Sequence, residues 1–221
     1  MKLLLSALTK FLVGLLLVAA LIFLPAGTLN YPGGTLFLCL LFVPMLIMGV
    51  VMLARAPDLL RKRLDAKEKQ GDQKGVVALS GLIFLCGFIL AGLDFRFGWS
   101  QVPLPVTVAA SVIFLAGYGL YAEVMRENAY LSRTVKVEEG QTVISTGLYG
   151  VVRHPMYLAS TVMFLSLPLV LGSWYALIPF VFYPVLMVIR IRGEEKLLTA
   201  ELAGYEAYKR KVKYRMIPFV W

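Results

Sequence analysis

The chain has 221 residues, of which 59% are apolar and only 16% charged, with 22 Lys and Arg against 13 Asp and Glu. A soluble domain carries about 25% charged residues, and repeated stretches of about 20 apolar residues are what a bilayer core of about 30 Å demands, so an ordinary soluble fold, disorder and fibrous repeats are excluded. The nine surplus positive charges leave either a basic binder or a membrane protein that gathers Lys and Arg on one side.

In chain order, six apolar segments stand out, at about 3–24, 34–54, 76–95, 106–126, 156–171 and 174–191. All are expected to be helices, since unpaired backbone groups in lipid are too costly for anything but helices or closed barrels. The first resembles a secretory leader, but Lys10 interrupts its apolar run and no small-x-small site precedes Pro25, so it is read as a retained span. Between the second and third, Arg55 to Lys74 mixes seven basic with four acidic residues, with Leu59, Leu60 and Leu64 at helical spacing, which predicts an interfacial amphipathic linker helix. Asp94 and Arg96, in the loop 94–105, are placed to pair with each other. Around Glu138-Glu139-Gly140, the β-formers of 134–137 and 141–144 predict a short hairpin or an extended loop. Only Gly172 and Ser173, near Pro168 and Pro179, separate the last two segments, which form a tight hairpin barely long enough to cross, so that tilting, a break or partial burial within the protein stay open. Cys39 and Cys86 sit singly in apolar runs, so neither a disulfide nor a metal site is expected.

With both termini in the cytoplasm, 21 of the 22 basic residues fall inside and Arg96 alone outside. That is the asymmetry of the positive-inside rule, so the net charge is topological and nucleic acid is not an expected partner. The expected architecture is all-α and polytopic, with about six transmembrane helices: residues 1–75 form an N-terminal hairpin with its linker, and 76–221 a core with a helical tail.

Polar residues that topology does not require collect in two places, Asn128 to Tyr157 and Arg190 to Arg215. In the first, Arg153-His154-Pro155-Met156-Tyr157 opens the fifth helix, with Pro155 near the first-turn position it tolerates and free backbone N–H groups able to receive an anion. In the second, Arg190 and Glu194 lie four apart, on one helical face. Ionisable groups at the end of a buried helix, opposite a second polar cluster, are candidate site residues, and an acid beside an arginine suits a zwitterionic ligand.

These residues resemble the isoprenylcysteine carboxyl methyltransferase family, integral membrane enzymes that use S-adenosylmethionine. The matching pieces are Arg153-His154-Pro155-Met156-Tyr157, Arg190 with Glu194-Glu195-Lys196-Leu197-Leu198, Gly204-Tyr205-Glu206-Ala207-Tyr208, and Val212-Lys213-Tyr214-Arg215-Met216-Ile217-Pro218. Asp94 to Ser100 and Arg126-Glu127-Asn128 also look like its bacterial members. The resemblance implies a cofactor pocket at the cytoplasmic ends of the C-terminal helices, built from Gln141, Thr142, Val143, Ile144, Tyr149, Arg153, His154, Pro155, Met156, Tyr157 and Glu194, with Arg190 on the acceptor. Leu148 departs from the family's usual proline and Phe219 from its usual glycine, which puts local backbone shape in question.

The implied activity is methyl transfer from S-adenosylmethionine to a lipophilic acceptor entering from the bilayer, first of all the carboxylate of an isoprenylcysteine-like substrate, in a bacterial or archaeal cell membrane and without a metal. Such a carboxylate needs no general base. Phospholipid N-methylation and thiol S-methylation are the alternatives; an amine needs a base, for which Glu195 and Tyr208 are the candidates. Membrane sterol reductases that use NADPH are a more distant alternative, with Met156 standing where they carry Asn.

Overall fold

The computed structural model describes residues 2–65, 71–131, 134–135, 137 and 139–221, without the side chain of residue 72. Helices α1 (Lys2–Ala26) and α2 (Pro32–Arg55) are followed by the short α3 (Pro57–Leu64), then by α4 (Gly71–Phe97) and α5 (Leu104–Glu127). All of these but α3 are long and apolar enough to cross a membrane. On α1, Leu5, Val13, Leu16 and Leu17 are exposed, apolar surface that water would penalise by about 25 cal/mol per Å² and that belongs in lipid.

The spans pack where side chains are small. A Cβ on Gly92 of α4 would come 2.6 Å from the Ile22 carbonyl oxygen of α1, so glycine permits that crossing. Gly117 does the same for α5, where a Cβ would sit 2.5 Å from Met163. Inside, Phe37, Phe88 and Phe114 meet at ring separations of 5.7 and 5.8 Å and form the centre of the core.

Beyond residue 155 the expectation of two further single spans gives way. Helix α6 (Pro155–Val170) has 16 residues, about 24 Å at 1.5 Å per residue, short of a bilayer core of about 30 Å. The last apolar segment is not one helix but two, α7 (Leu177–Phe180) and α8 (Tyr183–Glu201). Pro184 explains the break: inside a continuous helix its ring would clash with the Phe180 carbonyl, whereas in the first turn of α8 it is tolerated. Helix α9 (Tyr205–Lys211) follows after Gly204, whose φ of +84° makes the corner.

The predicted linker helix is present as α3, with Leu59 and Leu60 buried; residues 66–70 of that prediction lie outside the described residues. Leu59 packs with Val124, Met125, Leu131 and Tyr149, so α3 covers the outer wall of the region where the site forms. Among the described residues there is no strand, and 141–145 run as an irregular loop rather than a hairpin; residues 136 and 138 of that prediction are likewise outside.

At the far end of the bundle Asp94, 1% exposed, does not pair with Arg96. It accepts hydrogen bonds from the Ser100 backbone N (2.7 Å), the Ser100 hydroxyl (2.6 Å) and the Ser173 hydroxyl, fastening the loop after α4 to the turn after α6. Arg96 instead lies over the Phe97 ring.

Candidate functional site

The site begins where α6 starts. Pro155 occupies the first turn, where its missing N–H costs nothing, and His154 is the non-helical residue before it. Two backbone hydrogen bonds hold this corner against the C-terminal segment, Arg153 N to Tyr214 O (3.0 Å) and His154 N to Arg215 O (2.8 Å).

Glu195, 6% exposed, fastens three elements together. Its Oε1 accepts from Arg153 Nε (2.6 Å) and faces His154 Nε2 (3.4 Å), while its Oε2 accepts from Arg215 Nε (2.8 Å). Arg153 also donates to the Val212 and Lys213 carbonyls, at 2.7 and 3.0 Å. Burial opposes ionisation of Glu195, but hydrogen bonds from His154, Arg215 and Arg153 outweigh it and hold the carboxyl down at about 2. The arrangement joins α8, the mouth of α6 and the tail.

One helical turn along, Tyr157 bridges the Arg190–Glu194 pair. Its hydroxyl donates to Glu194 Oε2 (2.5 Å) and accepts from Arg190 Nε (3.0 Å). The Arg190 guanidinium lies 5.9 Å from the Tyr157 ring centre, and the His154 ring stacks with the same Tyr157 ring at 5.7 Å. The two sequence clusters, 33 residues apart between Tyr157 and Arg190, thus meet in one constellation.

A cavity partly open to solvent lies against this constellation. Gln141, Thr142, Val143, Ile144, Tyr149, Arg153, His154, Met156, Tyr157, Arg190, Glu194 and Tyr208 all line it; Pro155 and Glu195 do not. Pro155 shapes the helix mouth behind the wall, and Glu195 is turned into the ionic cluster. Tyr208 donates its hydroxyl to the Tyr149 carbonyl (2.7 Å), and burial pushes its phenol up, as it does those of Tyr149 and Tyr205. The lining also includes Tyr130, Leu131 and Leu202, and Asn128, Leu198 and Tyr205, which lie in the matching pieces but were not assigned to the pocket. Their signal was faint: Leu198 and Leu202 continue the Arg190–Glu194 spacing of four, and Asn128 donates to the Tyr149 hydroxyl (2.9 Å) across 21 residues.

The two departures from the family pattern have local consequences. At Leu148, where a proline would have no N–H, the backbone donates to Glu127 Oε2 (3.1 Å), and Gly147 beside it has a φ of +48° with a Glu127 oxygen 1.4 Å from where a Cβ would be. Phe219 takes up a φ of +64°, a left-handed conformation that glycine adopts without strain.

Among the described residues no three His, Cys, Asp or Glu side chains group as metal ligands. The cavity does fit an amphipathic organic cofactor: charged groups converge at one end, apolar side chains form the other, and the buried hydroxyl of Tyr205 in its wall has no hydrogen-bond partner among the described residues.

Four apolar helices describe an integral membrane protein, and residues 106–204 match the phospholipid methyltransferase family. That match supports a membrane methyltransferase; it runs from α5 to the end of α8 and names the phospholipid family, not the isoprenylcysteine one expected from the motifs. Over 91 residues, 40% of the chain, the sequence is also 32% identical to the Delta(14)-sterol reductase TM7SF2 of Mus musculus, of whose length it covers 22%.

Proposed function

We propose that the protein is an S-adenosylmethionine-dependent methyltransferase of the membrane, acting on a lipophilic acceptor that bears a carboxylate, of the isoprenylcysteine type. The observation that carries this reading is the Tyr157 hydroxyl held between Arg190 and Glu194 on the cavity wall. Glu194, Tyr157 and His154, with the loop 141–144, hold the cofactor, which when bound supplies an electrophilic methyl group on a sulfonium. Arg190 presents a planar guanidinium that can take a carboxylate through two hydrogen bonds and fix it in line with the methyl. Arg153, on the wall, and Glu195, behind it, hold the mouth of α6 in place.

A carboxylate acceptor is favoured because it is ionised already and needs no base. Glu195 and Tyr208, the candidate bases for an amine, are both committed elsewhere: the carboxylate to Arg153 and Arg215, the phenol as a donor to Tyr149. The phospholipid methyltransferase match favours a second reading, N-methylation of a phospholipid headgroup. We further place the cavity on the cytoplasmic side, because that orientation puts 21 of 22 basic residues inside.

Transfer of radiolabelled methyl from S-adenosylmethionine by the purified protein separates these readings. Label in a prenylcysteine analogue that alkali releases as methanol is the expected result, since only a carboxyl methyl ester hydrolyses that way. Alkali-stable label in phosphatidylethanolamine, with none in prenylcysteine, would replace the first reading by the second.

A further inference from the structure

The cavity has a direction. Arg190, Glu194, Leu198 and Leu202 all line it from α8 and its C-terminal cap, four residues apart, so over about 18 Å at 1.5 Å per residue the wall passes from charged to apolar. After Leu202 comes Tyr205, 4% exposed, packed with Leu202, Tyr208 and Val143 of the facing loop, with Glu195 and Glu194 near enough to act electrostatically on its phenol. Its hydroxyl has no partner among the described residues. A buried hydroxyl without a partner costs free energy, so an acceptor atom is expected to meet it when the site is filled. The other wall tyrosines are each engaged: Tyr157 with Glu194, Tyr149 with Asn128, Tyr208 with the Tyr149 carbonyl, and Tyr130 with the Gly140 carbonyl.

We infer that Tyr205 is the hydrogen-bond donor for the nucleoside end of the cofactor, so that the nucleoside lies toward Leu198 and Leu202 and the amino-acid end toward Glu194. The inference rests on the S-adenosylmethionine reading above. Leu198 and Leu202 beside an unpaired phenol donor suit a flat heteroaromatic base and its ribose, which offer acceptor atoms and no net charge. A zwitterionic amino-acid group instead needs the charged end. The direction also leaves Arg190, beyond Glu194, on the acceptor side.

The test is equilibrium binding of two probes to the full chain in detergent: S-adenosylhomocysteine, and methylthioadenosine, which keeps the nucleoside and lacks the amino-acid group. Tyr205→Phe is expected to weaken both by the same factor, about fivefold to tenfold for one lost hydrogen bond. Glu194→Ala is expected to weaken S-adenosylhomocysteine alone. Without ligand, Tyr205→Phe should melt no lower than the wild type, because it removes an unpaired buried hydroxyl, and the gain in melting temperature on adding S-adenosylhomocysteine should shrink. Wild-type affinity of Tyr205→Phe for both probes, or a loss confined to S-adenosylhomocysteine, would overturn the placement of Tyr205 and leave the cofactor reading standing. Failure of the wild type to bind S-adenosylhomocysteine would overturn the cofactor reading itself, and this inference with it.

Discussion

Replacing Glu195 by Gln keeps the shape of the side chain and removes the charge that Arg153 and Arg215 share. The drop of its carboxyl from the ordinary 4.5 to about 2 corresponds to about 3 kcal/mol of stability at neutral pH. Breaking a buried ion pair from one side costs about 3–5 kcal/mol, because the partner charge stays behind, and Arg153 has a side chain only 6% exposed. Glu195→Gln should therefore lose about 3 kcal/mol at pH 7, measured by thermal or denaturant unfolding in detergent. The pH dependence has a definite sign. Since the folded-state value lies below the unfolded one, the contribution is complete above about pH 4.5 and is lost as pH falls from there toward 2. The wild type should lose stability across that window and Glu195→Gln should be flatter through it. Because Glu195 also fixes the corner at His154, the variant should bind S-adenosylhomocysteine more weakly even where it is fully folded. A Glu195→Gln protein within about 0.5 kcal/mol of wild type at pH 7, with an unchanged acid profile, would refute the role of Glu195 as the ionic anchor.

Tyr157→Phe removes the hydroxyl that Arg190 and Glu194 share; S-adenosylhomocysteine affinity should fall about tenfold by titration calorimetry, one hydrogen bond to a charged group being worth about 1.5–3 kcal/mol. Asp94→Asn should destabilise the fold by about 2 kcal/mol in a thermal melt, because its three donors include two hydroxyls that lose a charged acceptor, while affinity for S-adenosylhomocysteine stays at the wild-type value, the site being at the other end of the bundle. Phe219→Gly should raise the melting temperature, since relief of the left-handed strain, about 1–2 kcal/mol, exceeds the entropy cost of glycine, about 0.5–1 kcal/mol, and Phe219→Ala, which keeps the strain, should not.

The spans and the site were legible in the sequence to different degrees. Runs of apolar residues located α1, α2, α4 and α5 within a few positions, because lipid demands length and apolarity and little else. Hydropathy did not locate the break after Ser173, since Pro184 interrupts the helix without lowering its apolarity; only the shortness of the hairpin and its prolines left a break open. At the site, the spacing of Arg190 and Glu194 was visible, but Tyr157, which joins them, belongs to another helix, and only the fold brings the two together. Glu195 shows the same limit: beside Glu194 in sequence, it points out of the cavity into a cluster formed with Arg153 and Arg215. Asp94 and Arg96 looked like a pair on local spacing, whereas Asp94 takes a partner 79 residues away at Ser173. Tyr205 lay in a matching piece, Gly204 to Tyr208, but nothing in the sequence showed what sets it apart, an unpaired hydroxyl in a buried wall.

The central claim is that the cavity between α6, α8 and the loop 141–144 holds S-adenosylmethionine. Equilibrium binding of S-adenosylhomocysteine and of NADPH to the purified protein tests it most directly. Saturable binding of S-adenosylhomocysteine, weakened by Glu194→Ala, with no binding of NADPH, is the predicted result; saturable NADPH binding without S-adenosylhomocysteine binding would contradict it and point toward reductase chemistry instead.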